Sequence, residues 1–214
     1  MAIGKSVRLT PRYPASIRVD DEIELRLVRD RDAPRIFALM DGSREYLRKW
    51  LPWVDTTRTV ADTEGFVHRA HEQMGRGEGF HAGIEYRGAL AGIIGHVYLD
   101  PVNQRAEIGY WLGETFQGRG IMTRTCRRMV DYAFESLGLH RVEIRVDVDN
   151  RKSRAIPERL GFVPEVLLRE SVHAHGQFRD IVMYAKLRGE WELEGSRGVS
   201  KSLHGGPAVP RTEE

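Results

Sequence analysis

Polar and apolar residues alternate through Glu24-Leu25-Arg26-Leu27-Val28, which predicts a half-buried strand near the N-terminus. Asp32-Ala33-Pro34 follows as a helix start, an acidic capping residue with proline in the first turn, where its missing N–H does no harm. Ile36, Phe37, Leu39 and Met40 form that helix's apolar side. A short helix over 45–49 stops at Pro52, and a third over 61–74 carries Phe66, Val67, Ala70 and Met74 on one stripe. Strands over 80–86 and 90–99 flank the hairpin signal Arg87-Gly88-Ala89, and 106–112 is a further strand. Met122, Cys126, Met129, Ala133 and Leu137 step by 4, 3, 4 and 4, a helical stripe that ends at Gly138. A strand over 141–148, a short helix over 153–160 ending at Gly161, and strands over 165–173 and 178–187 around Gly176 complete the pattern. The order β-α-α-α-β-β-β-α-β-α-β-β predicts an α/β (α+β) layered fold with a mixed, mainly antiparallel sheet. The passage 106–148 is where a parallel crossover belongs.

Length and composition bound what this fold serves. The 214 residues, 41% hydrophobic and 30% charged, fit one globular domain with extensions and exclude a wholly disordered chain. The domain is expected over 17–188, after an N-terminal extension (1–16) broken by Pro11 and Pro14. A C-terminal tail (189–214) follows, and its glycine- and charge-rich composition from 192 onward predicts mobility. Met1 to Ser16 holds Lys5, Arg8 and Arg12 but no apolar block, so no signal peptide is expected. No apolar run reaches the roughly 18 residues of a membrane helix. The expected location is the cytoplasm. With 33 basic and 31 acidic residues, the formal net charge of +2 argues against a nucleic-acid partner. The one cysteine, Cys126, excludes an internal disulfide and a thiolate zinc cluster; it lies on the helical stripe as a packing residue.

The candidate chemistry concentrates in Gly109-Tyr110-Trp111-Leu112-Gly113-Glu114-Thr115-Phe116-Gln117-Gly118-Arg119-Gly120-Ile121-Met122-Thr123, where a strand enters a glycine loop that opens into the strongest helix. Free N–H groups and the positive dipole end of a helix start attract anions, and glycines let phosphate oxygens approach the backbone. Arg119, Arg124, Arg127 and Arg128 lie nearby with no acidic residue in 116–128, which suggests a local anion site. A tight turn with solvated arginines is the alternative. No Walker loop occurs, and a dinucleotide fingerprint fails because Thr123 stands where a third glycine belongs and His140 where an acidic residue belongs.

Gln117-Gly118-Arg119-Gly120 resembles the Q/R-x-x-G-x-G/A pyrophosphate loop of the GNAT acyl-CoA N-acyltransferases, with Met122 in place of the final small residue. Asn150-Arg151-Lys152-Ser153-Arg154-Ala155 followed by Leu160-Gly161-Phe162 is similar to their N-x-x-S…L-G-F signature. Trp50-Leu51-Pro52-Trp53, Ala106-Glu107-Ile108-Gly109-Tyr110-Trp111 and Asp180 with Met183-Tyr184 resemble the RimJ/RimL branch, and the likeness spans about 18–188 in order. The resemblance implies a GNAT sheet whose fourth and fifth strands splay, with helices on both faces and acetyl-CoA as donor. Backbone groups of Gly118, Arg119, Gly120, Ile121, Met122 and Thr123 would hold the pyrophosphate, with Gln117 fixing the loop. Tyr110, Trp111 and Leu112 would bind the pantetheine arm and polarise the thioester carbonyl, and Asn150 would meet the cofactor beyond the splay.

By the same resemblance, Ser153 would protonate the departing thiolate, although a helix N-cap would equally explain a serine there. RimL-like members carry a glutamate base where this chain has Val172. Glu170, two residues away and so expected on the same strand face, is the first substitute and Glu107 the second. Bulk water as proton acceptor, or a non-catalytic acyl-CoA-binding module, are the remaining readings. His173 and His175 share a predicted face without a third ligand, so no metal is expected. His68 and His71 read as solvated, and Trp50 and Trp53 as either acceptor wall or core. The implied acceptor is a protein or peptide N-terminus, such as that of a ribosomal protein; an antibiotic, polyamine or amino acid is the other option. An exposed edge strand suits a homodimer.

Overall fold

The computed structural model describes residues 13–193. Eight strands form one sheet in the order β1-β2-β3-β4-β5-β6-β8-β7. The strands are β1 (Ser16–Arg18), β2 (Ile23–Leu27), β3 (Phe80–Tyr86), β4 (Ala89–Asp100), β5 (Arg105–Leu112), β6 (Arg141–Asp147), β7 (Val163–Ala174) and β8 (Gln177–Leu187). Every neighbouring pair is antiparallel except β5 with β6, the crossover that the 106–148 pattern predicted. Helices α1 (Ala33–Asp41), α2 (Arg44–Leu47) and α3 (Val60–Gly75) precede β3; α4 (Ile121–Asp131) and α5 (Arg151–Arg159) flank β6.

The two sheet faces are covered by different helices. Ile121, Cys126 and Met129 of α4, with Ile156 and Leu160 at α5, pack on Ile23, Leu25, Ile84, Ile94 and Ile108 in the main core. Ala33 and Ile36 of α1 and Val67 and Ala70 of α3 pack with Val28 and Ile93 on the other side. The helical stripe that predicted α4 continues through a π-helical turn, Tyr132–Ser136, before Gly138. The wider turn keeps Ala133 and Phe134 in the core.

Three expectations need correction. The extension assigned to 1–16 reaches into the fold: Ser16 pairs with Arg26 in β1, and Tyr13 lies with its ring 4.3 Å from that of Phe80. At the other end, residues 188–193 are helical, and Trp191 donates to Asp131 at 2.8 Å and meets Phe134 and Arg127. Burial of that indole holds the chain beyond position 189 on the domain; the expected mobility of 194–214 lies outside the described residues. His71, expected to be solvated, bonds the Val28 carbonyl at 2.8 Å. Among the described residues no helix is long and apolar enough to cross a membrane.

Burial sets one solution property. His96 is fully buried among Phe80 and Tyr132, and His81 contacts Phe66 edge-on; desolvation pushes each imidazole down to about 4. Unfolded imidazoles titrate near 6.5, so between the two values the unfolded chain binds more protons. Unfolding free energy measured by urea titration should therefore be full above about pH 7 and fall as pH drops from 6.5 toward 4, by an order of 3 kcal/mol per histidine. A His96→Phe variant should show a shallower loss; an equal slope would remove His96 as a cause.

Candidate active site

β5 is paired with β4 along its whole length, to Leu112 opposite Gly92, but with β6 only at Arg105–Arg141, Ala106–Val142 and Glu107–Glu143. From there β6 follows β8, ending with Asp147 opposite Ile181, and Ile108–Leu112 present an open edge. A cleft of about 980 Å³ occupies the opening. It gathers Tyr110, Trp111 and Leu112 of β5, Gln117 to Thr123 of the loop and α4, and Asn150 and Ser153 of α5. A second hollow of about 130 Å³ lies at the β2–α1 junction and contains none of these residues.

The glycine loop is shaped by its backbone. Gly118 and Gly120 have φ of +74° and +68°, and a Cβ added at either would meet nothing within 4 Å, so conformation and not crowding requires glycine. Gly120 is the N-cap of α4, whose first-turn N–H groups open into the cleft beside it. The four arginines expected to make a cationic patch are divided. Arg124 is spent on Asp20 (2.7 Å) and Glu22 (3.0 Å), Arg127 covers Trp191, and Arg128 donates to the Arg18 carbonyl. Arg119 remains at the loop, joined by two cations the sequence reading missed, Lys152 and Arg159 of α5. Lys152 donates to Gln117 Oε1 at 3.0 Å and ties the loop to α5; Arg159 donates to Thr123 Oγ1 at 3.2 Å.

Asn150, not Ser153, caps α5: its Oδ1 accepts from the Ser153 N–H at 3.2 Å. The Ser153 hydroxyl is thereby free of capping and donates to Tyr110 Oη at 3.2 Å, while the Tyr110 hydroxyl donates to the Ser153 carbonyl at 3.2 Å. Burial pushes the Tyr110 phenol up, so it stays protonated and acts as a donor.

The carboxylates rearrange the expected base. β7 takes two extra residues between Leu168 and Val172, and Glu170 adopts a left-handed φ of +51° with its N–H on Asp180 Oδ1. Counting by two therefore fails at this bulge: Val172 lines the cleft, whereas Glu170 is exposed outside it. Glu107 sits at the last β5–β6 pair, 3.3 Å from Arg145, and burial raises its proton affinity against that cation. Arg145 lines the cleft in front of it. The carboxylate that does line the cleft is Asp147, which the sequence reading passed over. Its alternation with Arg145 along β6 was the available signal.

Tyr46, Leu47, Trp50 and Leu51 also wall the cleft, with Tyr46 beside Gln117 and Lys152 and Trp50 beside Arg179, and the Trp53 ring lies 6.3 Å from Trp111. The β7–β8 tip closes on this wall: His175 bonds the Arg48 carbonyl at 2.6 Å and stands 3.3 Å from Asp55. A left-handed φ of +52° turns His175 away from the straight strand, and His173 instead packs on Phe178. The two histidines are therefore held apart by separate partners.

An open strand edge, a glycine loop at a helix start and a hydroxyl at their junction define an acyl-transfer site of the GNAT type. The Acetyltransferase (GNAT) domain family matches residues 22–163, and the chain belongs to it. YdaF of Bacillus subtilis (strain 168), named as a candidate ribosomal N-acetyltransferase, is 41% identical over 179 residues, 83% of this chain and 97% of its own. The solved structure of RimL, a ribosomal alpha-N-protein acetyltransferase in complex with coenzyme A, superposes with a TM-score of 0.78 at 28% identity, covering 82% of this chain and 99% of that one. The microcin C7 self-immunity acetyltransferase MccE, in complex with acetyl-CoA and AMP, has a TM-score of 0.78 at 28% identity over 83% and 98%. The protein is thus an acetyltransferase of the GNAT type, close to the ribosomal-protein acetyltransferases, with that family's fold.

The loop can be tested without substrate. Gly75, like Gly120, has nothing within 4 Å of an added Cβ, but it ends α3 with no positive φ. Gly120→Ala should lower unfolding stability by about 1–2 kcal/mol, the left-handed penalty, while Gly75→Ala should leave it unchanged or raise it. Equal effects in denaturant titrations would mean that Gly120 is not held left-handed.

Proposed function

We propose that the protein transfers the acetyl group of acetyl-CoA directly to the α-amine of a protein or peptide N-terminus. The observation that carries this reading is the open edge of β5 facing the α4 N-terminus within one cleft, beside an aromatic wall suited to an acceptor. The residues present suit the donor. Backbone N–H groups from Gly118 to Thr123 meet a pyrophosphate, with Arg119, Lys152 and Arg159 as neighbouring cations. The unpaired backbone of Tyr110 to Leu112 receives the pantetheine amides as a strand would, and Asn150 contributes from the cap of α5.

Acetyl-CoA supplies a thioester carbonyl. The acceptor nitrogen forms a bond to its carbon, the carbon–sulfur bond breaks, one proton leaves the amine and one reaches the thiolate. A backbone N–H of the open β5 edge hydrogen-bonds the carbonyl oxygen as its charge grows. Ser153, held at Tyr110 Oη by its own hydroxyl proton while the neutral phenol donates to the Ser153 carbonyl, turns that proton to the departing sulfur and regains one from solvent. Glu107 takes the amine proton through intervening solvent: it stands at the apex of the splay, 3.3 Å from the cleft-lining Arg145, and burial makes it a stronger proton acceptor than an ordinary glutamate. Glu170, exposed and turned outward by the β7 bulge, has no part. A small-molecule amine is the second reading. The likeness to MccE, solved with acetyl-CoA and AMP, favours it.

Calorimetric titration with acetyl-CoA should show micromolar binding that Gly120→Glu abolishes; no binding by the native chain would end the acetyl-CoA reading. Rates of thiol release should fall at least tenfold in Ser153→Ala with acetyl-CoA affinity kept. Glu107→Gln should remove the acid limb of the kcat/KM profile, which should lie above the ordinary carboxylate value of about 4.3 because burial raises this group. Glu170→Gln should match the native profile. A profile altered by Glu170→Gln and untouched by Glu107→Gln would reverse the assignment.

A further inference from the structure

Among the described residues, Asp147 carries the one carboxylate that lines the cleft. It ends β6 on the face that also holds Arg145, and its side chain is one-tenth exposed. One oxygen accepts from the Asp149 N–H at 2.9 Å and the other from Arg179 Nη1 at 2.7 Å. An ionised carboxylate has about four acceptor positions, so two remain for a donor arriving through the cleft. Arg179, on β8, also lines the cleft, with its guanidinium 5.6 Å from the centre of the Trp50 ring. Its Nε is buried and has no hydrogen-bond acceptor among the described residues. A buried N–H without an acceptor is rare in a native fold and calls for a partner. The guanidinium fork presents its N–H groups in fixed directions, so a cation held at Nη1 by Asp147 still offers a directed donor at Nε.

We propose that Asp147 and Arg179 form the acceptor subsite, and that they read an amine together with the carbonyl two bonds away. Asp147 accepts from the incoming ammonium, and the Arg179 Nε–H donates to the carbonyl oxygen of the same residue. The aromatic face of Trp50 shields the pair from water, which strengthens both contacts. The substrate class so defined is an α-aminoacyl group, the first residue of a peptide or an amino-acid amide. An alkylamine or polyamine fills only the Asp147 half and leaves Arg179 unsatisfied. Such a site rejects an analogue lacking the hydrogen-bonding group more strongly than an apolar pocket rejects a change of size.

This assignment rests on the acetyl-transfer reading above, and the test separates the two. Steady-state thiol release would be followed with the dipeptide amide Ala-Ala-NH2 and with n-propylamine, at fixed pH, while calorimetry reports acetyl-CoA binding. The native enzyme should prefer the dipeptide amide. Arg179→Lys, which keeps a cation beside Asp147, should raise KM for the dipeptide amide at least tenfold and leave n-propylamine within twofold. Asp147→Asn should raise KM for both amines at unchanged acetyl-CoA affinity. Asp147→Glu should recover part of the loss, and thermal unfolding checks that each variant is folded. Equal losses on both amines in Arg179→Lys would overturn the carbonyl-reading role, since a merely structural contact affects both alike. A native enzyme with no preference, or with acetyl-CoA bound and neither amine turned over, would overturn the assignment while leaving donor binding intact. Failure of the native chain to bind acetyl-CoA would bring down both readings.

Discussion

The divergence of β5 from β6 after three residue pairs is the constraint on which the rest of the structure depends. A strand interior to a sheet normally satisfies its backbone groups on both edges, and leaving one edge unpaired has a free-energy cost. Here the opening is held by contacts on both faces. Glu107 and Arg145 bridge its apex at 3.3 Å, and on the opposite face Tyr110 bonds to Ser153 of α5. β6 cannot close back, because it is committed to β8 through seven residue pairs from Arg141 to Asp147. The open edge is therefore a property of the whole sheet, and it asks for a ligand that presents amides as a strand does.

The glycine loop depends on the same sheet. α4 is anchored by Ile121, Cys126 and Met129, all within 1% of full burial, so its N-terminus is held beside the opening. The two left-handed glycines before it then turn the backbone toward the cleft without any side chain to block approach. Gln117 and Lys152 join this loop to α5, which also carries Asn150 and Ser153. Loop, cap and hydroxyl are thus tied to one helix, a fixed arrangement of the kind that acyl transfer needs for orientation.

Charge is arranged more by pairing than by accumulation. Arg124, the second arginine of the apparent cationic run, is paired with Asp20 and Glu22 from the β1–β2 turn, which fastens that turn to α4. Along β6 Arg145 pairs with Glu107 and Arg179 with Asp147. Each pairing places a cation directly against a carboxylate, and at Glu107 burial outweighs the Arg145 charge and raises the proton affinity of the carboxyl.

Much was legible along the chain. The α4 stripe, the hairpin at Gly88 and the two glycines before Ile121 were readable because helix period, strand alternation and turn conformation are local properties. The motif residues from Tyr110 to Ser153 were also readable, because they come from a short stretch around one crossover. Local rules failed where distant segments decide. A two-residue bulge in β7, set by its pairing with β8, turned Glu170 out of the cleft and left Val172 facing it. Asn150 took the cap that was the alternative reading of Ser153, which left a hydroxyl for Tyr110, 43 residues away in sequence. Trp191 looked like the start of a tail until Asp131 and Phe134 covered it. The sequence by itself determined the elements, their order and the glycine turn before α4, since those follow from backbone preference and spacing. Only the tertiary structure decided which carboxylates and cations stand in the cleft, because partner choice depends on strand register and packing between segments far apart in the chain.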